Sequence, residues 1–179
     1  MSALLDTPRL LIRPFEPGDL PDYQRLNADP EVRRYLGGTL SADAARDEME
    51  AIARWHLKSG LGMLPIIRKS DGAFLGTCGL SVLDWYPDDT EIGWRLLPEH
   101  WGQGYATEAA SAWVGHAFTI LGLMRLISVA DVPNIRSHAV MRRLGMRLDH
   151  TATLTDGGDS FEAHVHVLDA TDWHAQRKL

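Results

Sequence analysis

The stretch from Trp101 to Ala109, WGQGYATEA, constrains the fold of this chain more than any other segment. It lies between an apolar run from Glu91 to Leu97, closed by Pro98, and a helical pattern that begins at Tyr105. The order is therefore strand, glycine turn and helix. Glycines at a helix start leave backbone N–H groups uncovered at the positive end of the helix dipole. The stretch predicts either a purely structural turn or a binding site for phosphate or pyrophosphate.

The rest of the chain alternates short strands with a few helices. Strands are predicted for residues 9–13, 63–68, 74–83, 90–97, 125–130, 146–154 and 160–168. Helices are predicted from a cap at Asp19 to about Asn27, from a cap at Ser41 to Gly60, from the glycine turn to near Gly122, and from a cap at Asn134 to Leu144. Strands 90–97 and 125–130 flank a helix, so they are expected to be parallel. The pattern favours a mixed α+β sheet over a doubly wound fold, in one domain of residues 1–179 with a core from about 8 to 170.

Composition argues against several classes of function. The net charge of −6 argues against general nucleic-acid binding. The single cysteine, Cys78, forms no internal disulfide, and its apolar neighbours favour a small buried side chain over a nucleophile. No segment is apolar and long enough to span a membrane, and residues 1–6 lack signal-peptide features, so a cytoplasmic location is expected. His164 and His166 are expected on a solvated strand face, because no third ligand at a suitable spacing accompanies them, and no metal is expected.

Other well-known motifs do not fit the turn. The spacing Gly102-x-Gly104-x-x-Thr107 lacks the third glycine of the dinucleotide fingerprint, and no acidic residue follows at the end of a second strand. The Gly-Lys-Ser/Thr of a P-loop and the Gly-x-Ser-x-Gly elbow of serine hydrolases do not occur in the chain. Binding of NAD or FAD, a P-loop and serine hydrolase chemistry are therefore not supported.

The turn resembles instead the acetyl-coenzyme A turn of the GNAT N-acetyltransferases, Arg/Gln-x-x-Gly-x-Gly/Ala. Gly104 and Ala106 hold its last two defined places, whereas Trp101 stands where the family usually has arginine or glutamine. The tryptophan variant resembles the ribosomal-protein alanine N-acetyltransferase branch. Three further segments resemble that branch in the same order, namely residues 7–14, 91–94 and 134–146.

The resemblance implies a GNAT-like fold, in which a central, mostly antiparallel twisted sheet has helices on both faces and one splayed pair of parallel strands. It also implies that acetyl-coenzyme A (acetyl-CoA) binds as cosubstrate. Donors to its pyrophosphate are expected at Gly102, Gln103, Gly104, Tyr105, Ala106 and Thr107. An N–H at Leu96 or Leu97 would polarise the acetyl carbonyl, and Asn134 would contact the pantetheine from the far side of the splayed strands. Thr107 and Asn134 fit ordinary helix capping as well.

Acetyl transfer requires a neutral amine, so a carboxylate near the thioester is expected to act as general base. Glu91 is the candidate, with a salt bridge to Arg95 or Arg125 as its structural alternative. Many members of the superfamily have a tyrosine seven residues after the equivalent of Asn134. That place is Met141 here, which donates no proton, so Ser137 is the candidate to hydrogen-bond the leaving sulfur.

The acceptor remains open between two kinds of primary amine, a protein N-terminal amine and a small-molecule amine. Residues 20–61 and 84–89, which carry several aromatic side chains, are expected to wall its site. The function expected is direct acetyl transfer from acetyl-CoA in a ternary complex, by a monomer or homodimer without metal, nucleic-acid or membrane partners. The alternative is a non-catalytic module that senses acyl-CoA.

Overall fold

The computed structural model describes residues 4–177, in which eight strands form one mixed sheet. The strands are β1 (Leu5–Asp6), β2 (Leu10–Ile12), β3 (Gly62–Arg68), β4 (Phe74–Leu83), β5 (Tyr86–Leu96), β6 (Arg125–Asp131), β7 (Arg147–Asp156) and β8 (Asp159–Asp169). The helices are α1 (Leu20–Ala28), α2 (Ala42–Ser59), α3 (Tyr105–Thr119), α4 (Ile135–Arg143) and α5 (Ala170–Gln176). Single 3-10 turns cover Pro17–Asp19 and Pro98–His100.

The strand order is β1-β2-β3-β4-β5-β6-β8-β7, and every neighbouring pair is antiparallel except β5 and β6. These two strands are joined by α3, and a helical crossover is the usual way to connect parallel neighbours. The mixed sheet with one parallel pair confirms the predicted fold class.

The parallel strands separate soon after they meet. Glu91 opposite Ile127 is the one register position at which β5 and β6 pair. Beyond it β5 stays paired with β4 as far as Leu96, and β6 stays paired with β8 as far as Asp131. The outer neighbours therefore hold the two strands apart and leave a gap between them, which is the predicted splay.

Helices cover both faces of the sheet, as predicted. On one face α3 and α4 pack into the main core, where Trp113 is fully buried and donates its Nε1–H to the Cys78 carbonyl at 3.0 Å. On the other face α1 and α2 bury Tyr23, Leu26 and Met49. Cys78 is itself fully buried, which agrees with the predicted packing role, and burial raises the pKa of its thiol.

Two local predictions were wrong, one about the start of a strand and one about a helix cap. Residues 86–89 were predicted to lie outside the strands, but Tyr86 pairs with Leu83 and begins β5. The pairing register shifts between this pair and the next one, in which Ser81 lies opposite Glu91. Residues 87–90 therefore form a bulge, which allows Pro87 to lie within a strand. The Asp19 side chain does not cap α1, because its carboxylate accepts hydrogen bonds from Arg13 at 2.7 and 2.8 Å.

The prediction that the histidines of β8 face solvent is wrong for His166, which is 5% exposed. The face of β8 that carries His166 is covered by α4, whose His138 imidazole packs against the His166 ring. The ring centres of His138, His164 and His166 lie 5.0 to 6.2 Å apart. The Nδ1 atoms of His138 and His166 are buried without a hydrogen-bond partner within residues 4–177.

This packing makes stability sensitive to acid. Burial, reinforced by the positive groups of His138, His164 and Arg142, lowers the pKa of His166 to about 4. The unfolded chain binds this proton near pH 6.5 and the folded chain does not, so His166 destabilises the fold as pH falls below 6.5. Between pH 7 and pH 5, urea unfolding of the wild type is expected to lose about 1–2 kcal/mol more stability than that of His166→Gln. Equal losses in the two proteins would contradict the burial of a neutral imidazole.

Candidate active site

The turn after β5 has the geometry of an anion site. Gly102 and Gly104 adopt φ values of +73° and +81°, a left-handed conformation that favours glycine. Gly104 is the N-cap residue of α3 and offers no side chain to its first turn. The free N–H groups of α3 therefore remain available to a ligand at the positive end of the helix dipole.

The turn is fixed by the N-terminal hairpin. Glu108 on the first turn of α3 accepts hydrogen bonds from the Thr7 hydroxyl at 2.7 Å and the Arg9 N–H at 3.0 Å, and pairs with the Arg9 guanidinium at 2.6 Å. Arg9 also donates to the Gln103 carbonyl at 3.1 Å and stacks over the Tyr105 ring. Burial alone raises the pKa of Glu108, but the hydrogen bonds outweigh it and lower the pKa. These contacts join two of the four segments that carry the resemblance, and no local spacing in the sequence predicts them.

Trp101 anchors the entrance to the turn. Its Nε1–H donates to the Leu96 carbonyl at 2.7 Å, which ties the start of the turn to the end of β5. The guanidinium of Arg136, from α4, lies 4.2 Å from the centre of the indole ring.

Hydrogen-bond alternation decides which backbone groups of β5 face the gap. The Leu97 N–H donates to the Leu75 carbonyl of β4 at 2.9 Å. Successive residues of a strand direct these groups to opposite edges, so the N–H and carbonyl of Leu96 point toward β6. Two N–H groups were predicted as donors to the acetyl carbonyl. The Leu96 N–H therefore faces the gap, whereas the Leu97 N–H is already hydrogen-bonded to β4.

Glu91 lies at the point where the strands separate. Its carboxylate accepts hydrogen bonds from the Ser81 hydroxyl of β4 at 3.2 Å and from the Val129 N–H of β6 at 3.3 Å. The Val129 donor is available because β6 no longer pairs with β5 at that position. Glu91 therefore bridges the closed end of the gap with an oriented carboxylate.

The surroundings of Glu91 suit a general base. Burial raises the pKa of its carboxyl to about 7, and the bonds from Val129 and Ser81 limit the rise by stabilising the ionised form. Neither predicted salt bridge forms, because Arg125 pairs with Asp169 at 2.7 Å and Arg95 lies 3.7 Å from Glu48. A carboxyl that titrates near neutral pH exchanges protons efficiently with an amine.

The far side of the gap is formed by the start of α4. Asn134 caps the helix through its Oδ1, which accepts the Ser137 N–H at 3.2 Å, so the ordinary capping role is present. Ser137 is partly buried on the first turn, and Met141 is buried one turn further along. Thr107 is partly buried on the first turn of α3.

A polar cluster lies on the same face of β5 as Glu91, toward α1 and α2. Arg95 donates to the Asn27 side chain at 3.0 Å and to the Tyr23 hydroxyl at 3.3 Å, and Tyr23 donates to Glu48 at 2.5 Å. Burial raises the pKa of Tyr23, which keeps its hydroxyl protonated. These residues come from three separate elements, and no local pattern in the sequence joins them.

A contact also joins the segment between α1 and α2 to the residues just before α4. The Tyr35 hydroxyl, from the segment between α1 and α2, is 3.4 Å from the Pro133 carbonyl just before α4. The predicted acceptor segment therefore reaches from the α1 and α2 side to the far side of the gap.

Two negative observations apply to residues 4–177. In that range His, Cys, Asp and Glu side chains nowhere converge in a group of three suited to hold a metal ion. No helix in the same range is both long and apolar enough to cross a lipid bilayer.

The chain is similar to known acetyltransferases in sequence and in structure. Residues 9–147 match the model of the acetyltransferase (GNAT) domain. The uncharacterized N-acetyltransferase p20 of Bacillus licheniformis is 32% identical over 145 residues, 80% of this chain and 82% of that protein. The FsC-acetyl coenzyme A-N(2)-transacetylase of Aspergillus fumigatus is 30% identical over 166 residues, 87% of this chain and 69% of that protein. A crystal structure of an acetyltransferase from Agrobacterium tumefaciens shares 30% identity, with a TM-score of 0.79 over 94% of each chain.

Proposed function

This chain belongs to the GNAT acetyltransferase family, and we propose that it transfers the acetyl group of acetyl-CoA directly to a primary amine. The observation that carries the proposal is the gap between β5 and β6, which has the glycine turn and the uncapped start of α3 at its open end and Glu91 at its closed end. The relatives carry the names of N-acetyltransferases, not of acyl-CoA sensors.

The donor is proposed to bind along the gap. Its pyrophosphate would meet the N–H groups of residues 102–107, where the uncapped start of α3 supplies donors and a favourable dipole. The pantetheine amides would pair with the edge of β5, and Asn134 would approach them from α4. The Leu96 N–H, which points into the gap, would stabilise negative charge on the acetyl oxygen during transfer.

Glu91 is proposed to accept the proton of the acceptor amine, directly or through one water. The amine nitrogen then forms a bond to the acetyl carbon, the bond from that carbon to sulfur breaks, and its electron pair leaves with the thiolate of coenzyme A. The extra proton on the new amide nitrogen passes through water to that thiolate, which gives the neutral amide and the thiol. Met141 offers no proton for that thiolate, so the Ser137 hydroxyl is proposed to hydrogen-bond the sulfur. Positioning both substrates in one gap supplies a further part of the rate.

A protein N-terminal amine is the first candidate acceptor. The support is the likeness of four segments to the ribosomal-protein alanine N-acetyltransferase branch, including the tryptophan that opens the turn. A small-molecule amine is the second candidate. It is favoured by the polar cluster of Tyr23, Glu48 and Arg95, which lies beside Glu91 on the same face of β5.

A thiol-release assay with acetyl-CoA separates these acceptors. The panel contains peptides with free alanine or serine N-termini, the same peptides with blocked N-termini, a polyamine and an amino sugar. We expect thiol release and an acetylated product, identified by mass spectrometry, with at least one free amine and with no blocked peptide. Release without an acetylated amine, or no release with any acceptor, would contradict the proposal.

A further inference from the structure

Arg136 places a positive charge at the open end of the gap. It is the second residue of α4 and is exposed, and its guanidinium carbon lies 4.2 Å from the centre of the Trp101 ring. The two residues come from opposite sides of the gap, since Trp101 follows β5 and Arg136 follows β6. Their contact therefore lies beside the glycine turn.

Arg136 differs from the other arginine at this turn. The charge of Arg9 is compensated by Glu108 at 2.6 Å, and its guanidinium is held by the Gln103 carbonyl. Within residues 4–177, by contrast, no ion pair joins Arg136 to a carboxylate. Arg136 thus provides an uncompensated positive charge beside the turn.

Stacking leaves the hydrogen-bonding edge of Arg136 free. A guanidinium on an aromatic face contacts the ring through its plane, while its N–H donors project outward in that plane. The indole of Trp101 is a fixed platform, because its Nε1–H is bonded to the Leu96 carbonyl. Trp101 therefore orients the guanidinium without consuming its donors.

We propose that Arg136 binds the pyrophosphate of coenzyme A and adds a positive charge from α4 to the N–H donors of the glycine turn. Trp101 occupies the place where an arginine or glutamine usually opens that turn, and it holds Arg136 there instead. The assignment rests on the proposed function, because it uses the same donor site. A planar guanidinium also suits two-point contact with phosphate oxygens, which a lysine ammonium does not provide.

Isothermal titration of coenzyme A into the purified chain tests the assignment. Arg136→Ala and Arg136→Gln are expected to weaken binding about tenfold, because each loses a charge-assisted contact. Arg136→Lys is expected to restore part of the affinity, whereas the glutamine variant keeps a planar group on Trp101 without the charge. Arg143→Ala, on the last turn of the same helix, is the matched control and is expected to bind like the wild type.

The same titrations with 3′-dephospho-coenzyme A identify which phosphate is bound. We expect the loss in Arg136→Gln to persist with this ligand, because the pyrophosphate is still present. A loss that disappears with it, or equal affinity of Arg136→Gln and wild type for coenzyme A, would overturn the assignment alone. Failure of the wild type to bind coenzyme A would overturn the proposed function as well.

Discussion

Glu91→Gln is expected to lower kcat/KM at neutral pH by about 100-fold, the effect of losing a general base. Glutamine has nearly the same shape and keeps a carbonyl oxygen toward the Val129 N–H, so the affinity for acetyl-CoA is expected to stay unchanged. Because the pKa of Glu91 is about 7, wild-type kcat/KM should rise with pH up to about 7 and then level off. This rise reflects ionisation of the base, so it should be missing in the glutamine variant.

Two further variants separate a base from a structural carboxylate. Ser81→Ala removes a hydrogen bond that stabilises the ionised form of Glu91, so the rise in the pH profile should move to higher pH. Glu50→Gln, on the exposed side of α2, should keep wild-type activity. These pH profiles should be measured with an acceptor amine of low pKa, because such an amine is already neutral throughout the pH range and does not add its own titration to kcat/KM. Full activity of Glu91→Gln throughout this pH range would show that another group, or water, removes the proton.

Gly79→Ala is expected to cost about 3 kcal/mol of unfolding free energy, because backbone atoms cannot yield to the new methyl group. A Cβ at Gly79 would lie 1.8 Å from the Gly62 carbonyl oxygen and 3.0 Å from the Met63 Cα. The strands β3 and β4 would have to separate, and β4 carries the Ser81 that orients Glu91. Urea denaturation followed by circular dichroism measures the loss.

Gly115→Ala is the matched control for that substitution. Gly115 lies inside α3, and a Cβ there would meet only the Trp173 Cζ2 at 3.8 Å, an ordinary contact. Alanine has the higher helix propensity, so this variant is expected to gain about 0.5–1 kcal/mol. A loss below about 1 kcal/mol in Gly79→Ala would mean that the β3–β4 approach tolerates a side chain.

Features that depend on neighbouring residues could be predicted from the sequence. Two glycines before a helix pattern predicted the turn, and both adopt positive φ there. The order strand, helix, strand predicted the parallel pair. Helix caps at Ser41 and Asn134 were also predicted, and each accepts the expected backbone N–H.

Features that depend on residues far apart in the chain could not be predicted from the sequence. Arg9 and Glu108 are 99 positions apart, and Arg95 and Asn27 are 68 apart, so no local spacing connects them. The choice of Leu96 over Leu97 follows from the register with β4, which a single strand does not reveal. His166 alternates with apolar residues like a solvent-facing side chain, and only the packing of α4 on that face of the sheet shows that it is buried.

A crystal structure of the chain with coenzyme A tests the central claim most directly, because it locates the donor relative to the gap. We expect pyrophosphate oxygens within hydrogen-bond distance of the N–H groups of residues 102–107. The pantetheine should lie between β5 and β6, with its sulfur toward Glu91. Coenzyme A bound elsewhere, with the gap between these strands closed or empty, would contradict the assignment of this site.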